Sequence, residues 1–331
     1  MKAVHLEKPR AIETRPLKLI DIPKPTLGVD QLLIRVSACG VCHTDLHTVE
    51  GEIIPPQYPI IPGHQIVGRV IEVGREVERW AYGDRVGIPW LYHACGECDF
   101  CKRGEENLCK DAEFTGFHQD GGYAEFVVSD ADYTLRIPDE ISDELAAPLL
   151  CAGIIGYRSL HKADVQPRER LGLIGFGASA HLAIQVARYW DCEVYVFTRS
   201  EGHKQLAQEL GAEWVGDSDD QAPAPLDRAI LFAPVGQLVP IILGKLRPGG
   251  TLAINAIHLS PIPELSYDLI YGERTLRSVA NATYQDGVEF LKLAAEIPIQ
   301  AKTQTYPLEN VNEALLDLKQ SKIDGAGVLV P

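Results

Sequence analysis

Cysteine spacing gives the first chemical signal in this sequence. Cys95, Cys98 and Cys101 stand two residues apart, and Cys109 follows after a seven-residue gap. Two-residue gaps let successive thiolates face one point at about 2.3 Å from a zinc ion, and the longer loop returns the fourth ligand. Gly96 and Gly104 permit the tight turns this needs. Four protein ligands leave no open coordination position, so the cluster predicts a structural zinc rather than a reactive one. The same residues could also be free thiols, or pair as two disulfides in an oxidising compartment.

A second set is dispersed. Cys42 lies in Cys39-Gly-Val-Cys42-His43-Thr44-Asp45-Leu46-His47, His64 in Pro62-Gly63-His64-Gln65, and Cys151 directly after Leu149-Leu150. Two thiolates and one imidazole make a three-ligand site with a free fourth position, as catalytic zinc requires. Spacing alone does not bring them together. Singly, His64 reads as a structural histidine and Cys151 as a small buried residue. Cys39 forms a CxxC with Cys42, which also fits a zinc ribbon or a redox pair.

The third signal is Gly175-Phe176-Gly177-Ala178-Ser179-Ala180-His181, placed after an apolar strand and at the start of a helical pattern. In that context Gly175 serves the tight turn, and Gly177 lets the backbone approach a pyrophosphate. Ala180 keeps helix and strand close. The helix start then offers amide donors and a positive dipole end to phosphate.

The elements that must position these groups fall into two regimes. The first ~130 residues are β-rich, with strands expected at 32–36, 66–73 and 123–127 and a proline-dense loop at 55–64. Beyond about residue 150, strands at 171–175, 193–198, 213–215, 228–233 and 251–257 alternate with helices at 179–190, 203–210 and 238–246. That alternation predicts βαβ units on a parallel sheet. Helices are also expected at 289–295 and 311–318. The fold class is therefore α/β.

The motif series, from GVCHTDLH through PGH, GDRV at 83–86 and CGECDFC to the glycine-rich turn, resembles the zinc-containing medium-chain alcohol dehydrogenases over essentially the whole chain. The resemblance implies a GroES-like catalytic domain from 1–152 and 283–331, with a Rossmann domain inserted at 153–282. It implies a hydride transferred between small primary alcohols or aldehydes and NADP(H) or NAD(H). Cys42, His64 and Cys151 become ligands of a catalytic zinc, and Cys95, Cys98, Cys101 and Cys109 hold a structural one. Thr44 is placed beside the substrate oxygen. His47 ends a proton relay, since an imidazole exchanges protons near neutral pH. Asp45 supports the zinc environment by orienting His64. Trp90 resembles a bulky pocket residue that favours primary alcohols and flat aldehydes. Cys39 becomes a neighbouring small residue.

Several positions depart from the family pattern. Gln65 stands where a glutamate is usual, and a neutral amide is the poorer zinc ligand. Thr198 occupies the place of the acid that binds the ribose diol in NAD-preferring members, and Arg199 and Ser200 follow. A missing carboxylate with a guanidinium and hydroxyls favours a 2′-phosphate, so NADP(H) is expected over NAD(H). His43 replaces an arginine that several relatives place near the pyrophosphate. Gly325-Ala326-Gly327 replaces a basic residue, which predicts looser cofactor binding.

Composition limits the alternatives. The 331 residues are 46% hydrophobic and 23% charged, ordinary globular values, with a formal net charge of −15. That charge disfavours nucleic acid and anionic membranes. No apolar run reaches the ~18–20 residues of a membrane span, and the start lacks the apolar core of a secretory signal, so a soluble cytoplasmic protein is expected. The competing readings are a zinc-free quinone or enoyl reductase of the same superfamily, and a catalytically inactive zinc-binding interaction protein. Two complete ligand sets speak against the first, and the nucleotide-binding half against the second. A homo-oligomer, dimer or tetramer, is expected from the family.

Overall fold

Residues 1–297, 299–323 and 325–331 are described in a computed structural model. Chain contacts divide it into two units. The first comprises Met1–Cys151, Asn281–Ala295 and Gln300–Pro331, and the second Ala152–Ala280 and Glu296–Ile299.

In the first unit, β1 (Lys2–Leu6) and β2 (Leu17–Asp21) pair as an antiparallel ribbon. The long strand β3 (Gln31–Val41) is buried along most of its length and leads into helix α1 (His43–Glu50). Then follow β4 (Ile66–Val73), β5 (Arg85–Ile88), β6 (Leu91–His93), the single turn α2 (Asp99–Lys102) and β7 (Glu113–Phe114). β8 (Phe126–Asp130), β9 (Leu135–Arg136) and α3 (Asp143–Pro148) complete the first stretch.

The second unit holds α4 (Ile154–Lys162), β10 (Arg170–Ile174), α5 (Ala178–Tyr189), β11 (Glu193–Phe197), α6 (Glu201–Glu209) and β12 (Trp214–Gly216). It continues with β13 (Leu226–Leu231), α7 (Leu238–Lys245), β14 (Leu246–Ile254), α8 (Tyr267–Ile270) and β15 (Thr275–Ser278). The chain then forms α9 (Tyr284–Glu296), β16 (Thr303–Pro307), α10 (Val311–Lys319) and β17 (Ala326–Val330).

The first unit's main sheet runs β16-β17-β3-β4-β5-β9, with β8 also on β3. Its core gathers Leu32, Ile34, Ile66, Val86, Tyr123 and Leu329 from distant parts of the chain. β3 extends five residues past its expected end because small residues such as Ala38 and Gly40 still make ladder partners for β4 and β17. The strand expected at 123–127 starts at Phe126 instead. Gly121, Gly122 and Tyr123 donate to the carbonyls of Ile61, Gly63 and Pro62, which takes them out of the ladder. β15, β16 and β17 carried no sequence expectation.

The second unit's sheet is all parallel, in the order β12-β11-β10-β13-β14-β15. Strand order reverses at β10, the topological point where such sheets bind ligands beyond the carboxyl ends of their strands. α5 buries Leu182, Ala183, Ile184, Val186 and Ala187, the helical pattern read from sequence. No helix among the described residues is long and apolar enough to cross a membrane.

Candidate active site

The three dispersed donors meet. β3 ends at Val41, and Cys42 turns the chain with extended backbone, φ −142° and ψ 179°. Its thiol accepts the Thr44 N–H at 3.3 Å, and its own N–H donates to Asp45 Oδ2 at 2.9 Å. This reciprocal cap fixes the start of α1 and the direction of the sulfur together. The other oxygen of Asp45 lies 3.0 Å from His64 Nδ1, while His64 Nε2 sits 3.4 Å from Cys42 Sγ. The carboxylate thus keeps a proton on Nδ1 and leaves Nε2 for a ligand. Cys151 rides a π-turn, Leu149–Gly153. Ligand atoms of Cys42, His64 and Cys151 all lie within 4.8 Å of one another. Tetrahedral zinc with bonds of 2.0–2.3 Å separates its donors by roughly 3.5–3.8 Å, so the trio fits such an ion.

Electrostatics agree with that fit. Hydrogen bonding to the neighbouring Cys151, then burial, push the Cys42 thiol well above its ordinary range. Burial pulls His64 down, but the Asp45 carboxylate and the Cys42 sulfur outweigh it and raise the imidazole to about 10. A divalent cation relieves this crowding by favouring thiolate and neutral imidazole.

Other expected residues surround this set. Thr44 is buried, with its carbonyl accepting from the Thr48 hydroxyl at 2.9 Å. His47 lies one turn further along α1, its Nδ1 2.8 Å from Glu52 Oε2. His43 is exposed. Gln65 is buried with Nε2 unpartnered among the described residues, and a Cβ on Gly40 would come within 3.0 Å of its amide. Cys39 is sealed in the core, where its thiol would come within 3.0 Å of a Cβ on Gly63 or Gly122. Trp90 stands edge-on to His64 at 4.9 Å and stacks on Phe114 at 5.0 Å and 13°, with Phe117 5.9 Å away.

The four-cysteine cluster closes locally. Cys95–Cys109 and Cys98–Cys101 sulfurs lie 3.5 Å apart and Cys95–Cys101 3.9 Å, far beyond a disulfide bond of about 2.05 Å. The glycine turns have φ +70° at Gly96 and Gly104. Backbone N–H groups of Glu97 and Cys98 lower Cys95 to about 7, whereas burial raises Cys101 to about 12. Glu106 anchors the lobe by accepting the Tyr284 N–H at 2.7 Å.

At the glycine-rich turn the two glycines differ. Gly175 has φ +84°, and a Cβ there would meet Ala233 N at 2.9 Å, so the fold itself requires glycine. Gly177 caps α5, and a Cβ there would meet nothing within 4 Å. Protein packing therefore does not demand that glycine; the open space beside the first amides of α5 suits a phosphate group. Ala180 is fully buried against the sheet. Thr198 is buried and its N–H donates to Gly216 O at 2.9 Å. Arg199 is exposed, and Ser200 caps α6 by accepting the His203 N–H at 3.4 Å. Gly325 and Gly327 have a packing reason: a Cβ would meet Lys302 O at 2.1 Å and Val41 Cγ2 at 2.6 Å. A basic side chain would collide with the closing strands there.

Sequence reasoning overlooked Glu52, Phe114, Phe117 and Tyr123. None carries a spacing signal, because Glu52, the Phe114–Phe117 segment and Tyr123 approach from separate stretches of the chain.

Residues 28–139 match the family model described as alcohol dehydrogenase GroES-like domain, and residues 180–296 the one described as zinc-binding dehydrogenase. The chain is 47% identical to a probable alcohol dehydrogenase, AdhA, of Mycobacterium tuberculosis, covering 100% of this chain and 97% of the relative. Its fold is similar to a cinnamyl alcohol dehydrogenase, SbCAD4, of Sorghum bicolor, with a TM-score of 0.90, 28% identity, and 99% and 97% of the two chains covered. It is also similar to CAD of Helicobacter pylori complexed with NADP(H), with a TM-score of 0.87, 27% identity, and 99% and 97% covered.

Proposed function

The chain belongs to the zinc-containing medium-chain alcohol dehydrogenase family, an alcohol dehydrogenase and aldehyde reductase using zinc and a nicotinamide cofactor, and on that premise we propose its finer terms. Cys42, His64 and Cys151 hold a catalytic zinc, and Cys95, Cys98, Cys101 and Cys109 a structural zinc. The substrates are small primary alcohols and flat aldehydes, and NADP(H) is preferred. The observation that carries this reading is the convergence of Cys42, His64 and Cys151, with Asp45 behind His64.

Zinc in the three-donor site would supply Lewis acidity toward a substrate oxygen, and the nicotinamide would give or take the hydride. The chain's own residues do the rest. Asp45 holds the proton on His64 Nδ1 and so fixes the ring. Thr44 contributes a buried hydroxyl on the turn after Cys42, suited to hold a proton at Oγ1. Glu52, 2.8 Å from His47 Nδ1, orients that imidazole at the end of the relay. Trp90, Phe114 and Phe117 form an aromatic wall beside His64 that excludes water and selects flat substrates. Gly177 with the first amides of α5, near Ala180, receives the pyrophosphate. Arg199, Thr198 and Ser200 receive the 2′-phosphate.

A homo-oligomer is also proposed. Ile257, Ile262, Tyr267, Ile270, Tyr271 and Leu276 are large exposed apolar residues in one short stretch that includes β15, which among the described residues pairs with β14 alone. An open strand edge next to an apolar patch suits a second copy of the chain.

The test is initial rates of benzaldehyde reduction with NADPH and with NADH, alongside metal content per chain. Two zinc ions and faster NADPH turnover are expected. One zinc, or an NADH preference, would overturn the corresponding term.

A further inference from the structure

Tyr123 is fully buried, and two kinds of contact tie it to the segment that delivers His64. Its N–H donates to Pro62 O at 3.0 Å, and the preceding Gly122 N–H donates to Gly63 O at 2.9 Å. Its ring lies so close to Gly63 that a Cβ there would come within 2.4 Å of Cδ1. The Pro62–Gly63 segment before His64 is thus held by the backbone of Gly122 and Tyr123 and by the tyrosine ring.

The phenol oxygen is sealed from solvent and, among the described residues, has no hydrogen bond of ordinary geometry. The polar groups acting on it are the Asp45 carboxylate and the Cys39 and Cys42 thiols. A tyrosine phenol carries its proton at neutral pH and can donate it. Asp45 has capacity to accept it. An ionised carboxylate offers about four acceptor positions, and among the described residues the Cys42 N–H and His64 Nδ1 occupy two of those on Asp45. A buried hydroxyl beside a carboxylate with open lone pairs is most stable when it donates to it.

We propose that Tyr123 is a positioning residue of the three-donor site: it donates its O–H to Asp45 and, through Asp45, fixes the His64 ring toward Cys42 and Cys151. The inference rests on the proposed metal at those three residues. It assigns a role to a tyrosine that touches neither metal nor substrate. Removing the hydroxyl leaves Asp45 free to shift, and the His64 ring with it.

The test uses the full chain with both sites loaded with cadmium-113. Four thiolates and two thiolates with one imidazole give separate resonances. Tyr123→Phe should move only the resonance of the mixed site and should speed cadmium release from that site to a chelator about 10-fold, the low end for loss of an outer support of a metal ligand. Tyr58→Phe removes another sealed, unpartnered phenol oxygen and should change neither readout. Site-specific replacement of Tyr123 by 3-fluorotyrosine keeps the ring and strengthens the donor, so release should slow. An unmoved mixed-site resonance with release within twofold of the parent in Tyr123→Phe overturns the proposal. If Tyr123→Phe does not fold, an unchanged release rate in the fluorotyrosine protein overturns it. Absence of any mixed-site resonance in the parent would instead sink the three-donor metal reading, and this inference with it.

Discussion

Replacing each of the two turn glycines with alanine separates what the fold needs from what the cofactor needs. Gly175→Ala forces a side chain into φ +84° and against Ala233 N at 2.9 Å. A left-handed alanine costs roughly 1–2 kcal/mol, and overpacking against backbone adds about 1–3 kcal/mol. For a unit of this size a loss of ~2–5 kcal/mol lowers Tm by roughly 5–15 °C. Gly177→Ala meets open space. Its weaker helix cap costs some tenths to ~1 kcal/mol, and the stiffer unfolded chain returns about 0.4–1 kcal/mol, so cofactor-free stability should hardly move. The added methyl would instead stand where a phosphate must approach. Losing one charge-assisted hydrogen bond, about 1.5–3 kcal/mol, weakens NADPH roughly 10- to 150-fold. Thermal unfolding without cofactor and NADPH fluorescence titration read the two effects separately. If Gly177→Ala loses as much Tm as Gly175→Ala, or binds NADPH as the parent does, the reasoning about that turn is wrong.

Further outcomes follow from the same geometry. Arg199→Asp should weaken NADPH at least 10-fold more than NADH, and equal losses in KM for both cofactors would remove Arg199 from the 2′-phosphate. Trp90→Ala should raise kcat/KM for branched substrates while lowering it several-fold for benzaldehyde, and a uniform loss on both would make Trp90 a core aromatic only. Zinc binding to metal-free protein at pH 8 should release protons, because His64 is held protonated up to about 10 and the Cys42 thiol is raised. The sign is that of a raised folded pKa: the protonated His64–Asp45 pair stabilises the metal-free protein fully below about 6.5 and is lost as pH rises through about 10. Calorimetry in buffers of different ionisation enthalpy counts the protons, and fewer than one per mixed site would refute this account.

The sequence made the local parts of this site readable and hid the distant ones. The Cys95–Cys109 lobe needs only its own short turns, so its spacing carried the geometry. Cys42, Asp45 and His47 share one helix and were equally legible as a set. Cys151 lies more than a hundred residues from Cys42, and only the ordered series of motifs linked them. Tyr123 falls in the strand expected at 123–127, although the two glycines just before it mark a close crossing: a Cβ on Gly121 would meet Gly63 O at 2.1 Å and one on Gly122 would meet Ile66 Cγ1 at 2.3 Å. Glu52 looks like one acid among 46 acidic residues until the end of α1 turns it back to His47. At Gly325–Gly327 the sequence shows a missing basic side chain but not that a Cβ on either glycine would also meet Lys302 or Val41, partners brought near by the closing strands β16 and β17.

Cys42 has one further consequence as the cap of α1. Its sulfur accepts the Thr44 N–H, and in the proposed site the same sulfur ligates zinc. A thiolate is the better acceptor and the better partner for the positive end of the helix, so occupancy by metal and order in the first turn of α1 rise together. Thr44, Asp45 and His47 sit in the first five residues of that helix. Exchange of their amide hydrogens with solvent therefore becomes a gauge of metal occupancy. Demetallation would loosen the reactive residues as one segment, not one by one, before the rest of the sheet responds.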